Sequence, residues 1–277
     1  MNYTRLVVTP SDATRREAVS AALFVAGAEG VLEEGATLVS VFGDPAVATL
    51  AEQEVRAVDH AALVESVVFD PGDYDAEWRA SVKPRQVGRL LVTPPWLAGA
   101  SDPATTLVIE PGTGFGTGEP ETTRGALFLL QDVVRAGDVV ADLGCGSAVL
   151  AIAAAKLGAA RVAAIELDGE AISNAEENVA HNGLADRITV IEGDAGALLP
   201  LLAPVRVVVA NIISSVLVEL LPIVAPSLTP DGVVVIGGVL VVEREAFIGV
   251  IAADGWRVVR EYAEGEWWAA ELHRADR

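Results

Sequence analysis

The first seventy positions fall into six segments by apolar period. Residues 3–9 alternate as a strand, and Ser11 stands where it would cap a helix running to about residue 27. Residues 30–34 and 37–42 flank a turn at Glu34-Gly35, residues 45–57 read as a helix, and residues 62–69 return to strand. Strand, helix, strand, strand, helix, strand is the split βαβ order, so residues 1–70 are expected to form a ferredoxin-like α+β domain. From Asp70 to Trp96 the periodicity fails. Pro71, Gly72, Pro84, Pro94 and Pro95 are interspersed with Tyr74, Trp78 and Trp96, which predicts an interdomain linker over 71–96 with a short helix around 75–81.

Residues 97–277 carry a different pattern. Short apolar runs at 139–141, 162–165, 188–191, 205–209 and 233–236 are separated mostly by helical segments. Such alternation specifies a parallel sheet buried on both faces. The end departs from it, because residues 256–262 and 266–273 are two strands joined at 263–265 and read as a hairpin. A parallel sheet with an antiparallel edge hairpin gives seven strands, the Rossmann-like α/β plan of class I methyltransferases.

Composition narrows the partners. The chain has 19 Lys plus Arg against 39 Asp plus Glu, a formal net charge of -20, and no basic run. Such a surface repels a phosphate backbone, so direct nucleic-acid binding is not expected, while a cationic protein or amine is attracted. A single cysteine, Cys145, excludes a disulfide framework and a multi-cysteine zinc site, and no metal is expected. The N-terminus lacks the order of a secretion signal, and the apolar run 233–240 is interrupted by Gly237 and Gly238 and far too short to span a bilayer. A cytoplasmic monomer without membrane contact is the expectation.

The strongest chemical signal is VVADLGCGSAVLAIAAAKLG, in which a strand ends at Asp142 and a glycine turn leads into a helix starting near Ser147. Gly144 and Gly146 let backbone approach a ligand, and the helix start supplies unpaired N–H groups. A dinucleotide site wants G-x-G-x-x-G, yet the sixth position is Val149, and Asp142 at the strand tip would repel a pyrophosphate. S-adenosylmethionine, with its ammonium and sulfonium, suits such an acidic tip. Glu166 closes the next strand, placed to accept both ribose hydroxyls, while Asp168 is read as the cap of the following helix. Asp194, in VIEGDA, is placed either for the adenine amine or as a helix cap. Asn211 ends the fourth strand at the carboxyl edge of the sheet, as a ligand contact or a cap. Upstream, IEPGTGFGTGEPETTRGAL holds four glycines between Gly112 and Gly118 before Thr122 and Thr123 open a helix. Without a P-loop lysine this loop is read as one that closes over a cofactor.

These residues resemble the PrmA family of bacterial methyltransferases acting on ribosomal protein L11. The resemblance covers nearly the whole chain: AEGVLEE, the connector W-x4-KP with VGRLLVTPPW, EPGTGFGTG with TTR, DLGCGSAVLAIAAAKLGAARV, ENVAHNG, VVVANI and GEWWAAEL. It implies that Thr123, Gly144, Glu166 and Asn211 contact the cofactor, with Asn211 at the mouth of the methyl-transfer site. It also implies that the N-terminal module recognises the ribosomal protein, whose lysines and N-terminal amine are methylated. Three departures stand out. Glu119-Pro120-Glu121-Thr122-Thr123 replaces the family's T-H-P-T-T, Ala148 replaces a third glycine, and Ile213 follows Asn211-Ile212 in place of leucine. His60, His181 and His273 lie outside every motif and are read as surface or structural residues. From the residues alone, methylation of another protein lysine or a small amine, and non-catalytic cofactor binding, stay open.

Overall fold

The structure is a computed structural model, and it describes residues 3–28, 30–69, 79, 82–111 and 121–275. The short helix read around 75–81, which includes Trp78, and the glycine loop 112–118 fall outside the described residues, except for Arg79. The chain divides into two compact units, Met1–Val82 and Lys83–Arg277.

In the first unit β1 (Tyr3–Thr9), α1 (Arg16–Val25), β2 (Leu32–Glu34), β3 (Thr37–Phe42), α2 (Pro45–Val58) and β4 (Leu63–Phe69) follow the ferredoxin-like order. All pairings are antiparallel, in the spatial order β2-β3-β1-β4. Period-2 alternation turns Leu6, Val8, Leu38 and Phe42 toward Val19, Leu23, Ala51 and Val55 of the helices, which forms the unit's core. Asp44 caps α2 through the Ala46 N–H, with Pro45 just inside the helix. At α1 the expected cap is displaced. Asp12, not Ser11, caps a 3-10 turn over Ala13–Arg15, and the Ser11 N–H donates to Asp59 Oδ2 at 2.8 Å. A carboxylate one residue further on outcompetes the serine hydroxyl.

The second unit opens with β5 (Arg85–Val87), β6 (Leu90–Thr93), the short α3 (Pro95–Ala98) and β7 (Thr106–Val108). These strands form a small sheet of their own, so residues 85–96, read from the sequence as linker, are ordered structure within this unit. The cause is non-local. Gln131 accepts from Arg89 N–H and donates to the Val87 carbonyl, and it fills the space where a Cβ on Gly88 would sit.

The large sheet comprises β8 (Val139–Leu143), β9 (Arg161–Glu166), β10 (Ile188–Glu192), β11 (Val205–Asn211), β12 (Leu228–Leu240), β13 (Trp256–Glu264) and β14 (Trp267–Arg274). Their order is β10-β9-β8-β11-β12-β14-β13, parallel from β10 to β12 and antiparallel in the final two. On one face lie α4 (Glu121–Val133), α5 (Val149–Lys156) and α6 (Gly169–His181). On the other lie α7 (Ala195–Leu202), α8 (Ser214–Ser227) and α9 (Arg244–Ala253). Strand order reverses between β8 and β11. In open α/β sheets that reversal leaves a crevice at the strands' carboxyl ends where ligands bind.

Candidate active site

Four strand ends meet at that crevice. Parallel register sets Leu143 of β8 beside Ile165 of β9 and Ala210 of β11, so the turn after Leu143 lies between Glu166 and Asn211. The turn is left-handed at three places: Gly144 (φ 68°), Gly146 (φ 50°) and Ala148 (φ 61°). Gly144 is required twice over, since a Cβ there would come within 2.7 Å of Ile212 Cγ2. That contact packs the turn against the residue following Asn211. The left-handed Ala148 is why α5 begins at Val149 rather than near Ser147.

Ala148 has no side chain able to cap α5. Asp142 supplies the acceptor from beneath, Oδ2 taking the Ala151 N–H at 2.9 Å. Oδ1 is buried and has no hydrogen-bond partner among the described residues. Burial, opposed by the Ala151 N–H and reinforced by the negative charge of Glu166, pushes the carboxyl up to about 7. Burial and the same two carboxylates also push the Cys145 thiol well above its ordinary range, so it is inert at neutral pH.

Glu166 straps the site together. Oε2 accepts from Gly146 N–H at 2.8 Å, and Oε1 accepts from Leu167 and Asp168 N–H at 2.9 and 3.0 Å. A carboxylate offers about four acceptor positions. To take both ribose hydroxyls it must release one backbone donor. Asp168 caps α6 through Glu170 N–H, and Asp194 caps α7 through Ala197 N–H at 2.8 Å, the capping alternative for that residue. On the other side of the turn, Asn211 Nδ2 donates to Oγ1 of the fully buried Thr123 at 3.4 Å. The structure therefore brings Asp142, Gly144, Gly146, Glu166, Asn211 and Thr123 to one crevice, with Asp194 at its β10 margin. The histidines take no part: His60 and His181 are exposed, and His273 pairs with Glu271 at 2.8 Å.

Sequence reasoning missed the supports. Asn174 and Asn178 on one face of α6, and Asn182 at its C-cap, follow at four-residue spacing. Asn182 bonds both the N–H and the carbonyl of Val108, and the fully buried Asn178 joins Glu110 N–H to the Ser147 carbonyl. The spacing was visible in the sequence, whereas the partners, 31 to 74 residues away, were not.

A glycine turn at a switch point, flanked by two carboxylates and a carboxamide, suits a cationic nucleoside ligand. The orphaned buried oxygen of Asp142, close to a second negative charge, would repel a pyrophosphate and is relieved by a sulfonium or ammonium. With the strand order above, this is the fold and site of an S-adenosylmethionine-dependent class I methyltransferase. Residues 7–275 match the ribosomal protein L11 methyltransferase (PrmA) family, and the chain belongs to that family. A relative from Thermus thermophilus, named ribosomal protein L11 methyltransferase, is 40% identical over 207 residues, covering 73% of this chain and 79% of its own length. One of the same name from Chloroflexus aurantiacus is 37% identical over 226 residues, covering 73% and 69%. The crystal structure of a ribosomal protein L11 methylase from Lactobacillus delbrueckii subsp. bulgaricus superposes with TM-score 0.63 at 28% identity, covering 70% of this chain and 99% of that one.

Proposed function

We propose that this enzyme methylates amines of ribosomal protein L11, both lysine side chains and the N-terminal α-amine, as a cytoplasmic monomer that makes no direct contact with nucleic acid. The reading takes residues 1–70 as the recognition domain for the protein substrate and 97–277 as the methyltransferase domain. Support comes from the printed names of the relatives, from a net charge of -20 that favours encounter with a basic protein, and from the absence of any helix among the described residues long and apolar enough to cross a membrane.

Asn211 carries the reading. When bound, the cofactor supplies an electrophilic methyl on a sulfonium, open to in-line displacement by a lone pair. What remains for the chain is to hold an acceptor amine neutral and aligned. A free α-amine, at about 7.7 to 8.0, is already partly neutral, whereas a lysine, near 10.4, must first lose a proton. Burial of the amine at the mouth of the site lowers both. The Asn211 side chain donates through Nδ2 to Thr123 Oγ1, and in this reading its carboxamide oxygen accepts from an amine N–H, which aims the nitrogen lone pair at the methyl carbon. Gly144 and Gly146 admit the cofactor's backbone-close portion, Glu166 takes a ribose hydroxyl, Asp142 acts on the cationic end through space, Thr123 steadies Asn211, and Asp194 borders the base. Asn211→Ala is expected to lower kcat at least a hundredfold while thermal unfolding stays within a few degrees of the parent. Unchanged kcat would remove Asn211 from the mechanism. Incubation with methyl-labelled cofactor and a mixture of purified ribosomal proteins tests the substrate, and label on a protein other than L11 would contradict it.

A further inference from the structure

Thr123 sits in the first turn of α4, and the very next residue forks onto the far edge of the sheet. Arg124 Nε donates to Glu264 Oε2 at 3.0 Å and Nη2 to Oε1 at 2.9 Å, a bidentate pair spanning 140 residues. Glu264 is the last residue of β13, and its Oε2 also accepts from Tyr262 OH at 2.9 Å. The Arg124 guanidinium holds the Glu264 carboxyl below its ordinary range, so the pair stays ionised at neutral pH.

Two further contacts fix the same helix to the same hairpin. A Cβ on Gly125 would lie 2.8 Å from Ala269 Cβ and 3.1 Å from Tyr262 Cδ1, so the helix touches the strands with no space for a side chain. One turn further on, Phe128 stacks obliquely on Tyr262 with ring centroids 5.1 Å apart. The apolar contacts alone would dock α4. They permit sliding and rotation of its first turn, whereas a two-point ionic fork does not. The position is otherwise unfavourable for arginine, because a cation in the first turn opposes the helix dipole, and Glu264 offsets that cost locally. The fork joins Arg124 of the TTR motif to the residue immediately before GEWWAAEL, and the Gly125 contact reaches Ala269 within it.

We infer that Arg124 and Glu264 are positioning residues for methyl transfer: the fork sets the height of Thr123 Oγ1, and through the 3.4 Å bond it sets the orientation of the Asn211 carboxamide that aims the acceptor amine. This rests on the role proposed for Asn211. A bond so near the limit of hydrogen-bonding range is sensitive to displacement by a few tenths of an ångström, which is why a pair outside the crevice acts on turnover.

The test compares Glu264→Gln and Arg124→Lys in the parent and in a Thr123→Val background, reading kcat and KM with purified L11, the Kd for S-adenosylhomocysteine by calorimetry, and Tm. Both substitutions keep one hydrogen bond and break the fork. The expected result is a roughly tenfold fall in kcat for Glu264→Gln, with Kd within about twofold, collapsing to less than about twofold once the Thr123 hydroxyl is gone. Arg124→Lys is expected to follow it with a smaller loss, and it carries the test should Glu264→Gln not fold. Unchanged kcat with a lowered Tm would make the fork purely structural and overturn the inference, as would an equal loss in both backgrounds. Full activity in Asn211→Ala would instead strike the reading on which the inference rests, so the two failures are separable.

Discussion

Two buried aspartates stand at the two ends of one strand, and they are treated in opposite ways. Asp138, just before β8, lies at the amino end of the sheet. Its Oδ2 accepts from Arg135 N–H at 2.8 Å and from Arg206 Nη1 at 3.1 Å, and Arg206 also donates to the Val133 carbonyl at 2.7 Å. Asp142, four residues on, has one backbone donor, an orphaned oxygen and a neighbouring negative charge. A buried charge without a counter-charge is costly, and the same fold shows at Asp138 how readily that cost is met. The contrast teaches that Asp138 at the amino end meets its counter-charge within the protein, while Asp142 at the carboxyl end has none among the described residues, which the proposed reading assigns to a cationic ligand.

The largest expected effect comes from spoiling the finished end. Arg206→Met strands Asp138 in a buried site and is expected to cost on the order of 3 kcal/mol in urea unfolding, with affinity for S-adenosylhomocysteine unchanged within about twofold. Loss of affinity without loss of stability would erase the distinction between the ends. The next effect sharpens the comparison at Asp142. Its folded value, about 7, lies above the ordinary 3.8, so its contribution to stability is intact below pH 3.8 and is lost as pH rises through about 7. Asp142→Asn removes that dependence. At pH 8, without ligand, the variant is expected to be more stable than the parent by about 2 kcal/mol, and the gap should close toward pH 5. A variant less stable at pH 8 would show that the carboxylate is already compensated. The smallest effect belongs to the turn itself. Ala148→Gly relieves about 1 kcal/mol of left-handed strain and forfeits about 0.8 kcal/mol of methyl burial, so Tm should move by no more than a degree or two; a large fall would mean that the methyl, not the backbone, organises the turn.

Much of this was legible because buried parallel strands announce themselves as Val/Ile runs. The starts and ends of β8 to β11 lie within two residues of the sequence reading, and Asp142, Glu166 and Asn211 fall at strand tips because such runs stop where the sheet does. What was not legible depends on partners distant in sequence. Strands β5 and β6 are three and four residues long, too short for a period, and exist by pairing with β7 and with Gln131. Arg206 in the run VRVVVA was a visible anomaly whose partner, 68 residues away, was not. The start of α5 was misplaced because composition does not reveal that Ala148 adopts a glycine-like conformation. Asp168 was readable as a cap because its acceptor and donor are two residues apart.

The most direct test of the unfinished carboxyl end is calorimetric titration of S-adenosylhomocysteine into the parent and Asp142→Asn at pH 6 and pH 8. With Asp142 titrating near 7 in the free protein and ionised in the complex, the parent should bind up to about tenfold more tightly at pH 8 than at pH 6, with proton release on binding at pH 6 visible across buffers. Asp142→Asn should bind more weakly at pH 8 and show only the ligand's own pH dependence. No binding heat with folded parent protein, or the same pH dependence in parent and variant, would contradict the account.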